Sequence, residues 1–113
     1  NGAIKSGSFI VMSDPDQQVE LEAAVLKRLL HHLQTHPDVQ NIELMNLADF
    51  CRNCLAKWYL AAAEEKNITL DYDQAREFVY GMPYREWKEK HQQEATPEQL
   101  ALFELKRSQK KHR

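Results

Sequence analysis

Two cysteines lie three positions apart in the middle of the chain, at Cys51 and Cys54. This spacing is that of one half of a structural zinc site. His32 could supply a third ligand if the first helix packs antiparallel against the helix that carries the cysteines. His36 is the weaker candidate, since Pro37 disfavours helical geometry at that position. The sequence therefore allows a metal site that holds zinc structurally or leaves a position open for chemistry.

The same two cysteines also fit an ordinary protein core, and that interpretation is favoured. Cysteine is among the most buried residue types, and both positions fall on the apolar side of the predicted helix. A redox or nucleophilic role is favoured least, because it needs a thiolate close to a helix N-terminus and to solvent. Cys51 is instead expected about one and a half turns inside the helix, with Cys54 deeper.

A polar stripe on the same predicted helix offers a second candidate site. Arg52, Asn53 and Lys57, with Asp49 beside them, could bind an anion or a small molecule. A solvated helix face with pairing four residues apart explains the same pattern and is favoured. The chain has no Ser-His-Asp arrangement, paired-carboxylate motif, glycine-rich phosphate loop or helix-turn-helix signature. The sequence thus favours a non-enzymatic protein and leaves an enzymatic role open.

An aromatic cluster surrounds the Gly-Met-Pro turn and consists of Tyr80, Met82, Tyr84 and Trp87. Tyr and Trp are frequent anchors at interfaces, so these residues are candidates for a binding groove or a dimer contact. The alternative, that the turn is pinned into the core by its own aromatic side chains, is favoured. Leu60 projects from the polar side of the central helix and supports self-association, since a two-fold dimer is the commonest way to cover such a patch.

These candidates are positioned by a predicted all-α fold, a single multihelical domain of about five or six helices. The longest helical apolar period predicts a central helix near residues 46–65, around which the other helices pack. Asn46 is expected to cap it, with Asp49 three residues on in a weak capping box.

The other helices are predicted from their apolar period and their end signals. The first helix should run from about Asp16 to about His36, and its apolar residues recur four and three apart. They predict one seam facing the rest of the domain, formed by Val19, Ala23, Leu26, Leu30 and Leu33 with Leu29 alongside. Further helices are predicted from Asp71 or Asp73 to Gly81, from Pro83 to about Gln92, and from Thr96-Pro-Glu-Gln onwards.

Length and composition are those of one ordinary domain. The 113 residues are 42% apolar and 28% charged, which suffices for a modest core without disulfides. No apolar run approaches the roughly 18 residues of a membrane span. The net charge of −2 argues against general nucleic-acid affinity. Two cysteines that are poorly placed to bridge each other indicate a reducing cytoplasm.

The two ends of the chain are expected to differ from a helical domain of residues 12–105. Residues 1–11 carry two of the three glycines and are expected to be an added or disordered segment. Residues 106–113 are expected to form a basic, frayed tail. The tail could touch nucleic acid or anionic lipid, but a solubilising end is favoured.

Two stretches of the chain resemble a known family. They are LMNLADFCRNCLAKWY at residues 44–59 and VYGMPYREWK at residues 79–88, the second followed by QEAT at 93–96. Both are similar to the short proteobacterial family of domain of unknown function 1244, and the similarity spans roughly residues 16–104. The resemblance implies a small all-helical cytoplasmic protein with no assigned activity, and it brings no catalytic residues.

The sequence thus favours a non-enzymatic homodimeric interaction or structural module, without identifying a protein partner. Two alternatives stay open: a zinc-type metal protein and a small-ligand-binding protein. Their residues are Cys51, Cys54 and His32 for the metal, and Arg52, Asn53 and Lys57 for the ligand.

Overall fold

The computed structural model describes residues 14–111, which form six α-helices. They are α1 (Pro15–Gln34), α2 (Asn41–Ala48), α3 (Arg52–Glu65), α4 (Tyr72–Tyr80), α5 (Tyr84–His91) and α6 (Pro97–Lys111). These residues contain no strand, and the predicted all-α class is confirmed. No helix in this range combines the length and apolar character that a bilayer crossing needs. The predicted segment 1–11 and the last two residues of the basic tail lie outside the described residues.

The prediction of one continuous helix over residues 46–65 is wrong. α2 ends at Ala48, and α3 begins only at Arg52. Asp49 adopts the left-handed conformation, with φ 67°, and its N–H donates to the carbonyl of Met45 at 3.0 Å. Asp tolerates this conformation better than most residues, so the helix can end there without a glycine or proline. Asn46 consequently lies inside α2 and does not cap the central helix.

α1 begins at Pro15 and ends at Gln34, slightly before the predicted end near His36. Among the described residues, those from 14 to His32 and those from Leu33 onwards form two separate units, so that most of α1 belongs to the first. Of the predicted seam residues, Leu30 is 4% exposed, but Val19 is 62% exposed and Ala23 is exposed as well. The predicted buried seam is therefore wrong for the first half of α1.

The second unit is built from three helix pairs. α3 packs against α4, α2 against α6, and α4 against α5. Ala56 and Ala63 of α3 and Ala75 of α4 are buried, and such small side chains allow two helices to approach closely. α3 therefore packs closely against α4, although it is shorter than the predicted central helix.

The ends of α4 follow the sequence signals. Asp71 precedes the helix, and its carboxylate accepts from the N–H of Gln74 at 2.7 Å, while the Gln74 side chain accepts from the N–H of Asp71 at 2.9 Å. Gly81 ends the helix with φ 76°. A Cβ at this glycine would lie 2.8 Å from Cδ of Gln34. Glycine is thus required both by the left-handed backbone and by the packed neighbour.

The later helix starts are close to prediction, and α6 runs further than expected. Pro83 stands just before α5 instead of at its first position. Thr96 and Gln99 exchange side-chain and backbone hydrogen bonds at 3.1 and 2.9 Å, which confirms the predicted start of α6. The helix continues past residue 105 to Lys111. In this part Lys106 donates to the carbonyl of Asn46, and Lys110 pairs with Asp49 at 2.5 Å.

Candidate functional site

Arg52, the first residue of α3, donates four hydrogen bonds through its side chain. It is 1% exposed, whereas the sequence placed it at the rim of a solvated face. Nη1 donates to the carbonyl of Val39 at 2.8 Å and to Oδ1 of Asn41 at 3.0 Å. Nη2 donates to the carbonyls of His36 at 3.0 Å and Leu33 at 3.4 Å. The guanidinium thus ties the start of α3 to the end of α1 and to the connector before α2.

A chain of hydrogen bonds continues from Arg52 through side chains of three helices. Asn41 accepts from Arg52 and donates through Nδ2 to the Tyr80 hydroxyl at 3.0 Å. That hydroxyl donates to Oδ1 of Asn53 at 2.7 Å. Burial raises the pKa of Tyr80 well above its usual value, so the phenol keeps its proton at neutral pH. Two of the three predicted ligand residues, Arg52 and Asn53, are therefore brought into one network.

Aromatic rings cover the buried guanidinium. The Arg52 guanidinium carbon lies 5.0 Å from the centre of the Trp87 ring, within the range of a cation–π contact. Trp87 packs edge-on against Tyr80 at 5.0 Å, and Tyr80 packs against Tyr84 at 5.3 Å. The four hydrogen-bond acceptors of Arg52 are carbonyl and amide oxygens. Burial lowers the pKa of Arg52, while the charge of Asp38 acts in the opposite direction. Oxygen dipoles and a ring face thus surround the cation directly, an arrangement that suits a structural link.

An amide-lined cleft of about 280 Å³ lies beside this network. It is lined by Gln40, Asn41, Ile42, Asn53, Tyr84, Gln92, Gln93, Glu94 and Ala95. Gln40 is 7% exposed, accepts from the N–H of Gln93 at 2.9 Å and donates to the carbonyl of His91 at 3.0 Å. Side-chain amides both donate and accept hydrogen bonds, so the cleft is suited to recognising a small polar group. Lys57 is exposed on α3 and does not line it.

The two cysteines lie at the break between α2 and α3. Cys51 occupies the N-cap position of α3 in an extended conformation, φ −148°, and is 7% exposed. The expectation that it lies one and a half turns inside a helix is therefore wrong. Cys54 is half-buried, and its Sγ lies 4.0 Å from Sγ of Cys51 and 3.8 Å from Sδ of Met45. Both cysteines are free thiols.

The protonation of Cys51 is set by burial. Desolvation raises the pKa of its thiol, and the neighbouring Cys54 adds to that, while the backbone N–H groups of Cys54 and Asn53 act in the opposite direction. The net shift is upward, so Cys51 carries its proton at neutral pH. A helix N-terminus is present, but it does not yield the thiolate that a nucleophile needs.

The third predicted metal ligand, His32, belongs to the first unit, while the cysteines belong to the second. Among the described residues, no group of three His, Cys, Asp or Glu side chains is arranged to hold a metal ion. Methionine is not among those four residue types. Met45, whose Sδ contacts Cys54, was not among the metal ligands predicted from the sequence.

The residues predicted for a groove or dimer contact fall into two groups. Tyr80 and Trp87 are each 2% exposed and serve the core. Leu60, Met82 and Tyr84 are only partly buried. The burial of the first two agrees with the favoured interpretation, in which the aromatic side chains pin the turn into the core.

Sequence reasoning missed Gln40, Asn41 and Met45. Glu43 stands three residues after Gln40 and accepts from its N–H at 2.7 Å, and this spacing of a helix start is a signal that could have identified Gln40. Asn41 and Met45 carry no such local signal, since their partners are 11 and 9 residues away in sequence or further.

Comparison with known proteins places the chain in a family. Among proteins with curated functions, none matches it. The family model described as protein of unknown function, DUF1244, matches residues 39–105. The matched region begins just before α2 and includes the cysteines, Arg52 and the aromatic turn, so it contains nearly all of the site described above. The chain therefore belongs to the DUF1244 family of proteins of unknown function.

Proposed function

We propose that the protein is a non-enzymatic helical module that self-associates through α1, with a second copy of the same chain as its partner. The observation that carries this proposal is the exposure of seam residues in the first half of α1, where Val19 is 62% exposed, Ala23 is exposed as well and Leu26 is half-buried. Single exposed apolar residues are ordinary, but several on one helix form the kind of patch that marks an interaction surface.

The sequence of α1 supports another α1 as the occupant of this surface. From Val19 onwards its apolar residues alternate four and three apart, the spacing by which two helices pack side by side in a coiled coil. Charged residues that flank such a seam set partner choice. Lys27 flanks it, and it faces Glu22 of the second copy if the helices run parallel, or Glu20 if they run antiparallel. Either arrangement pairs opposite charges.

The exposed part of α1 is short, so the dimer is expected to be weak. A small interface of this kind belongs to the low end of the range for specific complexes, with a dissociation constant on the order of micromolar. Association is therefore best measured across a range of protein concentrations by sedimentation equilibrium.

Two matched variants test the surface. Val19 lies in the seam, whereas Leu21 is equally exposed at 62% but points about 200° away around the helix. Val19→Asp should raise the dissociation constant at least about tenfold, since a charge then enters the apolar contact. Leu21→Asp should change it little. A wild-type chain that stays monomeric at its highest soluble concentration, or equal effects of the two variants, would contradict the proposal.

Charge reversal tests the identity of the partner. Lys27→Glu should weaken the dimer in either orientation. A second change, Glu22→Lys for parallel helices or Glu20→Lys for antiparallel helices, should restore it. If neither double variant recovers association, the second copy does not dock along α1 as proposed.

A second candidate function is recognition of a small polar ligand in the amide-lined cleft. The presence of Asn53 in both the cleft and the Arg52 network favours it. Asn53→Ala should abolish the thermal shift produced by any polar metabolite that stabilises the wild type, while Lys57→Ala should not. A ligand that stabilises the Asn53 variant equally would rule the cleft out.

We also infer a cytoplasmic setting, because both cysteines are free and a reducing compartment keeps thiols in that state. If cells are lysed directly into denaturant that contains an alkylating reagent, the reagent should label both Cys51 and Cys54. Recovery of the chain with both residues oxidised would contradict this location.

A further inference from the structure

Two other sulfur atoms lie close to the Cys54 thiol where α2 gives way to α3. Cys54 Sγ lies 4.0 Å from Cys51 Sγ and 3.8 Å from Met45 Sδ. All three residues belong to the second unit. Metal–sulfur bonds are about 2.3 Å long, so sulfurs that share one ion are about 3.8 Å apart in tetrahedral geometry and about 4.0 Å apart in trigonal geometry. The two observed sulfur–sulfur distances match those expected between ligands of one ion.

We propose that Cys51, Cys54 and Met45 form a binding site for a soft monovalent metal ion, with Cu(I) as the ion that fits best. Thiolate and thioether sulfurs together are the ligands that select Cu(I). Structural zinc needs four ligands, and the described residues offer no group of three His, Cys, Asp or Glu side chains that could hold a metal ion. Cu(I) is stable with fewer sulfur ligands than structural zinc.

Charge around the cluster also favours a monovalent ion. Binding of Cu(I) releases one proton from each of the two thiols and transfers no electron, so two thiolates and one Cu(I) leave a net charge of −1. The positive end of the α3 dipole lies at Cys51, its N-cap, and stabilises negative charge there. Arg52 is the next residue, buried and cationic. A complex with a divalent ion would be neutral and would gain less from these charges.

An ion also has a route to the cluster. Met45 lines a cavity of about 240 Å³ together with Asn46, Asp49, Phe103, Lys106, Arg107 and Lys110. Cys54 is half-buried instead of sealed. A proposed metal site needs such an entry path in addition to its ligands.

The proposal is tested by anaerobic competition for Cu(I) between the full chain and the chromophoric chelator bicinchoninate, with ascorbate as the reductant. The wild type should withdraw one Cu(I) per chain, and Cys54→Ser should withdraw none. Met45→Leu should weaken binding at least about tenfold, because even changes outside the ligand set cost that much in other metal sites. Met82→Leu is the matched control, since Met82 is also partly buried but is not part of the cluster, and it should bind as the wild type does.

Each alternative outcome overturns the proposal. If the sulfurs merely pack against one another, the wild type will not compete for Cu(I). If the two thiols hold the ion alone, Met45→Leu will bind like Met82→Leu. If the site is a zinc site, the chain will retain Zn²⁺ against a chelator and will prefer it over Cu(I). Met45→Leu conserves volume and should cost less than about 1.5 kcal/mol in stability, so lost binding will not reflect unfolding. The test does not depend on self-association through α1.

Discussion

Replacing Arg52 should destabilise the fold more than replacing any exposed charged residue of α3. Its guanidinium donates four hydrogen bonds, to Val39, Asn41, His36 and Leu33. A hydrogen bond from a charged group contributes about 1.5–3 kcal/mol, but bonds from one side chain are not additive. Allowing for that, we expect Arg52→Ala to lower the free energy of unfolding by about 4 kcal/mol, near the cost of breaking a buried charge interaction. The total free energy of unfolding of a native protein is only about 5–15 kcal/mol.

A conservative variant keeps the prediction testable if Arg52→Ala does not fold. Arg52→Lys retains the charge, but an ammonium group cannot span the same four acceptors or lie flat on Trp87. We expect it to lose about 2 kcal/mol, since roughly half of the hydrogen bonds remain. Lys57→Ala is the control on the same helix, because Lys57 is exposed and its loss should stay within about 0.5 kcal/mol.

Urea unfolding, followed by circular dichroism and by tryptophan fluorescence, measures these differences. Trp87 is buried under Arg52, whereas Trp58 is 59% exposed, so the fluorescence change reports mainly on the network. An Arg52→Ala protein within about 1 kcal/mol of the wild type would refute the structural role argued here. Equal stability of Arg52→Lys and the wild type would show that charge alone matters, and not the geometry of the guanidinium.

Four further substitutions test the remaining contacts and backbone positions. The free energy of unfolding should fall as pH rises above about 10. Burial raises the pKa of Tyr80, so the folded chain keeps a proton that the unfolded chain releases. In Tyr80→Phe, the urea midpoint should depend less on pH in that range. Gly81→Ala should cost about 1–2 kcal/mol from its left-handed backbone and its clash with Gln34, whereas Asn67→Gly, at φ 59°, should stabilise by about 0.5 kcal/mol in thermal melts. Thr96→Ala should lower the melting temperature through the loss of about 1 kcal/mol at the cap of α6.

Local signals account for the parts of the fold that the sequence predicted. Asp71, Gly81 and Thr96 act within one turn of their own helix, so their residue types alone indicate where α4 ends and where α4 and α6 begin. The break at Asp49 was missed because the apolar period continues on both sides of it. Glycine is the usual residue in the left-handed conformation. Asp tolerates that conformation better than most other residues, but it also fits an exposed helix position, so its type alone does not predict a helix end.

The candidate site was less predictable because its contacts span long distances in sequence. Arg52 bonds to residues 11 to 19 positions earlier, and Tyr80 bonds to Asn53 from 27 positions away. On a helical wheel Arg52 lies at the border of the polar face, which is where a solvated charge is expected. Its burial depends on the carbonyls at the end of α1 and in the connector, and the orientation of those carbonyls is not encoded in any local pattern.

The break between α2 and α3 explains why structural and chemical residues occur side by side. If residues 46–65 formed one helix, Cys51 and Arg52 would have helical neighbours on both sides, and the backbone N–H groups near Cys51 would be used within the helix. The break frees that helix end for Cys51 and directs Arg52 into the second unit, where it holds α3 against the connector before α2. Met45 and Cys54 then meet across the break. A glycine or alanine in place of Asp49 therefore tests both roles together: Asp49→Ala should strain the left-handed position and weaken Cu(I) binding, whereas Asp49→Gly should keep both the break and the binding.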